Sequence, residues 1–201
     1  PHFLYLVEEE TPGPLTQFEL AARLSYFLWS SLPDEELLAL AEQGGLNDPR
    51  ALTAQVDRML ADPRGAAFIR NFAGQWLGLR KLGVNPPDRE LYPRYDDHLE
   101  NSMRRESEEF FAHILKEDRS VLEFLQSDYV VINERLARFY DIPGVKGDPF
   151  RPVPVPAGTP RGGLVTQASL LSSTCTSRRT SPVWRGPCLL ENLIGDPRPP
   201  Q

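Results

Sequence analysis

Twenty of the 201 residues are proline, and eleven of these fall from Pro143 onward. Proline fixes φ and lacks the N–H that a helix or ladder needs, so the chain before Pro143 is free to be densely helical. After Pro143 it must be irregular or extended between short elements. The earlier prolines stand where helices tolerate them. Asp48-Pro49 and Asp62-Pro63 repeat one device, an Asp N-cap followed by proline at the first helical position. Pro33 fits the first turn of a helix that starts near Ser31, carries Asp34, Glu35 and Glu36 at its positive end, and stops at Gly44-Gly45. Pro86, Pro87 and Pro93 make the stretch LGVNPPDRELYP a loop.

Apolar spacing fills in the helices. Leu20, Leu24, Phe27 and Leu28 recur at helical intervals behind Thr16 and Glu19, which form a capping box. Leu52, Val56 and Leu60 mark a third helix, and Ile69, Phe72 and Trp76 a fourth. The longest helix is expected from about Tyr95 to Lys116, with Leu99, Met103, Phe110 and Ile114 as its apolar stripe. Ser120 caps a short helix to Gln126, Asn133 to Tyr140 forms another, and Gly163 to Ser173 reads as one more. Residues 143–160 hold six prolines and three glycines, and PVPVP within them is expected to be polyproline-like or an edge strand. The predicted fold is all-α: a multi-helix bundle over 14–142, a Pro-rich crossover over 143–160, and a small C-terminal helical appendage over 161–201. Residues 1–13, with the apolar run HFLYLV, read as the end of an upstream element. Pro1 in place of Met is expected of a processed product or a fragment of a longer chain.

Hydrophobic residues make up 40% and charged residues 25%, as in globular domains. A net charge of -6 and a pI of about 5.2 argue against a nucleic-acid partner. The longest apolar run, near Leu24 to Trp29, is interrupted by Ser25 and is far short of the roughly 18 residues of a membrane span, so the chain is expected not to span one.

The tests for chemistry are mostly negative. Covalent haem attachment needs C-x-x-C-H, and Cys175 and Cys188 are too far apart for it, with no adjacent His. No cofactor and no metal is therefore expected in this chain. His2, His98 and His113 are scattered, and no G-x-S-x-G, P-loop or dinucleotide fingerprint is present. Arg161-Gly162-Gly163 either presents backbone N–H groups to an anion or simply leads into a helix. Glu106 stands out because helical spacing places it between Met103 and Phe110, on the apolar stripe of the longest helix. A carboxylate there needs a partner. Arg178, Arg179 and Arg185 cluster in the C-terminal segment and would supply one, as a buried ion pair tying the two segments together. The alternative role for Glu106 is a general acid or base with a shifted pKa. Near them Ser181 suits an N-cap and Pro182 a first helical residue, although Pro187 interrupts the continuation. Arginines left free here would form an anion site, and Trp184 either stacks on a sugar or fills the core. The two cysteines are a disulfide or two buried thiols.

Several phrases occur together: LTQFELAARLSYFLWSSLPDEELL, MRRESEEFF, DRSVLEFLQSDYVVINERLARFYDIPG, RGGLVTQASLL, RTSPVWRG and LLENLIGDPRPP. In order and spacing the chain resembles large secreted proteins of unknown function, abundant in planctomycetes and found in other bacteria, that often carry a planctomycete-type cytochrome c domain. Residues 1 to about 10, 14 to about 142 and 161 to 201 resemble successive regions of that family. The positions matching its C-terminal motif are Arg179, Thr180, Ser181, Pro182, Val183, Arg185 and Gly186. Pro187-Cys188 departs from the bulky apolar residues usual there. The resemblance implies export to the periplasm or cell surface, haem c elsewhere in a longer protein, and other protein subunits or domains, a cytochrome among them, as partners. An exported location favours the disulfide. The expected function is a structural or interaction module of a cytochrome c-associated protein or electron-transfer assembly, without chemistry of its own. The alternative is a periplasmic enzyme acting on carbohydrate or another extracellular polymer.

Overall fold

A computed structural model of the chain describes residues 13–156 and 158–196. Most of the upstream element expected over 1–13 and the tail from Pro197 lie outside the described residues. The chain forms two compact units, one up to Phe68 and one from Ile69 on, and the division falls inside a helix.

In the first unit, α1 (Gln17–Trp29) opens on the capping box: Thr16 N–H donates to Glu19 and Glu19 N–H to the Thr16 hydroxyl. Asp34, not a residue near Ser31, caps α2 (Glu35–Glu42) by accepting the Leu37 N–H, so Pro33 precedes the helix. The same carboxylate receives two N–H bonds from Arg58, at 2.8 and 3.1 Å, which hold it below the usual carboxylate range. The Asp48 cap and Pro49 start α3 (Pro49–Ala61) as expected. Asp62-Pro63 instead opens a 3₁₀ turn, Pro63–Gly65, which leads into α4 (Ala66–Trp76). The core is Ala21, Leu28, Trp29, Leu37, Ala41, Leu46 and Met59. Trp29 keeps its indole N–H satisfied on the Met59 carbonyl, at 2.8 Å.

The second unit is organised by α5 (Asp97–Lys116), the long helix that the sequence predicts, capped by Asp96. Its inner face buries Leu99, Met103, Phe110 and Ile114 together with the polar Ser102, Glu106 and Ser107. The fold is mostly helical but not all-α. Tyr129–Ile132 forms a fully buried strand, β1, which pairs antiparallel with β2 (Arg151–Pro154) in the register Val130 to Val153. The expected edge strand in PVPVP thus has a partner, and a two-stranded sheet corrects the all-α expectation. YVVI has the β-branched and aromatic residues a strand favours, and Pro152 and Pro154 end the sheet because they offer no N–H to a third strand.

Asn133 caps α6 (Glu134–Phe139). The single helix expected over Gly163 to Ser173 is broken: a 3₁₀ turn, Leu164–Thr166, is followed by Gln167 in extended conformation and then by α7 (Ala168–Ser173). Proline starts α8 (Pro182–Leu189) at the predicted place, although the Ser181 side chain makes no capping bond. Pro187 withholds an N–H inside α8, and the helix passes into a π-turn, Leu190–Ile194. Among the described residues no helix is long and apolar enough to cross a membrane.

Candidate functional site

The interior side of α5 meets the C-terminal segment in a buried polar seam. Glu106 is 1% exposed. Its Oε2 accepts a 2.6 Å bond from the Tyr140 hydroxyl, and the Ala168 N–H at the start of α7 donates to the same hydroxyl at 2.9 Å. The Arg161 guanidinium lies 3.7 Å from the centroid of the Tyr140 ring. Burial pushes the Glu106 carboxyl up to about 8, against the Tyr140 bond, the Arg161 charge and the Ala168 N–H, which favour ionisation. The carboxyl is therefore largely protonated at neutral pH. Burial and the neighbouring Glu106 raise the Tyr140 phenol well above its ordinary value. Around this centre, Ser107 Oγ donates to Gln167 Oε1 and shares a second 2.6 Å bond with Ser169 Oγ, while Asn133 Nδ2 donates to Ser102 Oγ. Every polar group in the seam has a partner on another element, as buried polar groups require.

Glu106 does tie α5 to the C-terminal segment, but not through the arginines expected to pair with it. Arg178 pairs with Asp88 at 3.0 Å, and its carbonyl accepts the Tyr92 hydroxyl, so it clips the 82–93 loop to the Ser/Thr turn. The Arg179 carbonyl accepts from the N–H and hydroxyl of Thr176, and Thr180 bridges to Cys175. Among the described residues the Arg185 guanidinium approaches the Cys175 sulfur, at 3.7 Å, and its Nε is buried without a hydrogen-bond partner. The arginine that does act on Glu106 is Arg161, from the RGG phrase. Tyr140, Gln167, Ser169 and the Ala168 N–H carry no sequence signal of partnership, and Ser107 is marked only as a polar position on the buried side of α5.

The glycines after Arg161 do not cradle an anion. Gly162 N–H donates to Thr166 Oγ1 and Gly163 N–H to Ser127 Oγ, both at 3.0 Å. The expected disulfide is not formed in this structure: Cys175 donates to the Leu171 carbonyl and Cys188 accepts from Asn192. Both thiols border one cavity of about 660 Å³ with a mixed polar and apolar lining, together with Trp184, Gln75, Asn85 and Glu191. Trp184 is 61% exposed, so it is not a core residue. Gly186 has open space where a Cβ would stand. Among the described residues no three His, Cys, Asp or Glu side chains converge as a metal site.

A model of a protein family described as PSD4, protein of unknown function (DUF1592), matches residues 15–142, more than half of the chain. No curated protein and no solved structure matches it.

Proposed function

We propose that this chain, which belongs to the PSD4 family of proteins of unknown function (DUF1592), is an interaction module of an exported, cytochrome c-associated assembly and performs no chemistry of its own. The family description names no reaction, so the reading rests on the chain's own surface. The observation that carries it is the outer side of α8 and the π-turn. Val183, Leu190 and Ile194, seven and four residues apart, are 80, 40 and 69% exposed, and Trp184 flanks them. Leu193, on the same element, packs against the core around Phe110 and Tyr129. An element anchored to the core through Leu193 that still leaves Val183, Leu190 and Ile194 exposed is fitted to be covered from outside, and tryptophan is among the residues that anchor protein interfaces. The cytochrome identity of the partner, and the periplasmic or cell-surface location, rest on the resemblance of the phrases quoted above.

Glu106 supports the same reading. A general acid must reach substrate, whereas this carboxyl is enclosed by α5, Tyr140 and the start of α7. The competing reading, an enzyme acting on carbohydrate, would use the 660 Å³ cavity with Trp184 at its side. Glycosidases commonly need two carboxylates flanking the bond, and among the described residues Glu191 is the one acidic residue in that lining.

The test is a tagged chain purified from its native envelope extract, read by haem absorbance in the eluate. The native chain is expected to carry haem protein with it, and the double variant Val183→Asp, Ile194→Asp to lose about tenfold or more of that signal. Equal haem in both eluates, or none in either, contradicts the reading.

A further inference from the structure

The RTSPVWRG phrase borders a second cavity, of about 420 Å³, on the side of the second unit formed by the 82–93 loop, α5, α6 and α7. That volume lies within the range of roughly 300–1,000 Å³ usual for small-molecule sites. Most of its wall is apolar, supplied by Leu91, Pro93, Tyr95, Met103, Phe139 and Leu171. Three arginines complete it, Arg94, Arg179 and Arg185, and among the described residues its lining contains no Asp or Glu.

Of the three, Arg94 and Arg179 reach solvent, and Arg185 is the poorly compensated one. Arg94 donates to the Arg138 carbonyl and lies over the Phe139 ring. Arg185 has given up water at Nε without gaining an acceptor, and its Nη2 meets only a sulfur. Arg178 next door shows the contrast, because Asp88 neutralises it. Loss of hydration around a cation without a counter-charge is costly, and an anion entering the cavity would recover that cost. A guanidinium fork matches a carboxylate, and an apolar wall matches a hydrocarbon body.

We propose that this cavity binds an apolar carboxylate, an alkyl or aryl body ending in COO⁻, with the carboxylate facing Arg185 and Arg179 and the body against Leu91, Met103, Phe139 and Leu171. This goes beyond the docking role, which uses the outer side of α8, and it stands if that role fails.

The experiment is isothermal titration of the full chain with octanoate, with 1-octanol as the neutral analogue of equal length. Octanoate binds saturably at one site, and octanol binds about tenfold or more weakly, the scale of a hydrogen bond to a charged group. Arg185→Met lowers octanoate affinity by a similar factor and leaves octanol unchanged. Arg179→Met, at an exposed position, gives the same sign of change should Arg185→Met fail to fold, and Leu171→Trp, which fills the cavity, weakens both ligands. Equal affinity for octanoate and octanol overturns the proposal, because it would show apolar adsorption alone. No binding of octanoate by the folded native chain overturns it too, as does octanoate binding unchanged in both arginine variants.

Discussion

Gly163→Ala is expected to destabilise the protein by about 3 kcal/mol or more, while Gly186→Ala leaves its stability unchanged or raises it by up to about 1 kcal/mol. Gly163 has φ 76° and ψ 170°, a backbone region that residues with a Cβ rarely enter. An added Cβ would also run into the carbonyls of Leu125 and Phe124, which are backbone and cannot swing aside. Gly162 is under the same constraint, with φ 131° and the Ser127 carbonyl in the way. These close approaches dock the RGG segment on the chain after α5 and so set where Arg161 and α7 stand relative to Glu106. Gly186 sits within α8 with nothing inside 4 Å of its notional Cβ and without a positive φ, so alanine there only gains helix propensity. Urea unfolding of the three proteins checks the pair. Similar midpoints for Gly163→Ala and the native chain would contradict the placement of the RGG segment.

Glu106→Gln is expected to remove a pH dependence and to stabilise the protein at alkaline pH. In the folded chain the carboxyl titrates at about 8, against an ordinary value of 4.5. Below 4.5 both states hold the proton and the group contributes no slope. Between 4.5 and 8 the folded state keeps the proton that the unfolded state has lost, so native stability falls as pH rises, by at most roughly 1.4 kcal/mol per unit. Glutamine is neutral throughout and still offers Tyr140 an acceptor. The variant should therefore match the native chain near pH 5 and exceed it by a few kcal/mol at pH 8. Urea midpoints across this range read the difference directly. A carboxylate ionised and stabilised in the folded state would give the opposite sign: stability lost as pH falls, and a variant weaker at neutral pH.

Glu106 also shows where sequence reasoning reaches its limit. Its burial follows from spacing along one helix, a local property, and so do the caps Thr16, Asp48, Asn133 and Ser120 and the extent of α5. Its partners do not follow. Charge alone points to Arg178, Arg179 and Arg185, but the fold brings the Tyr140 hydroxyl, the Arg161 charge and the Ala168 N–H instead, from 34, 55 and 62 residues away. The break in the 163–173 helix has the same origin, because Gln167 leaves helical geometry and its side chain bonds Ser107 on α5. The strand Tyr129–Ile132 has no signature in the sequence for another reason: four apolar residues in a row carry no period, and a short helix and a buried strand look alike at that length. The arginine-lined cavity lies where the 82–93 loop meets the turn after α7, held by Arg178 to Asp88 and by Tyr92 to the Arg178 carbonyl. Neither contact has a local signature.

The docking reading makes the outer side of α8 an interface with a haem-bearing protein or domain. A benzophenone side chain placed at Val183, irradiated in intact cells and followed by mass spectrometry of the adducts, tests this most directly. Val84, which is 69% exposed and lies outside the stripe, serves as the control position. The account predicts adducts at Val183, not at Val84, with peptides of a protein or domain that carries covalent haem. Adducts only with proteins lacking haem, or none at Val183, would contradict it.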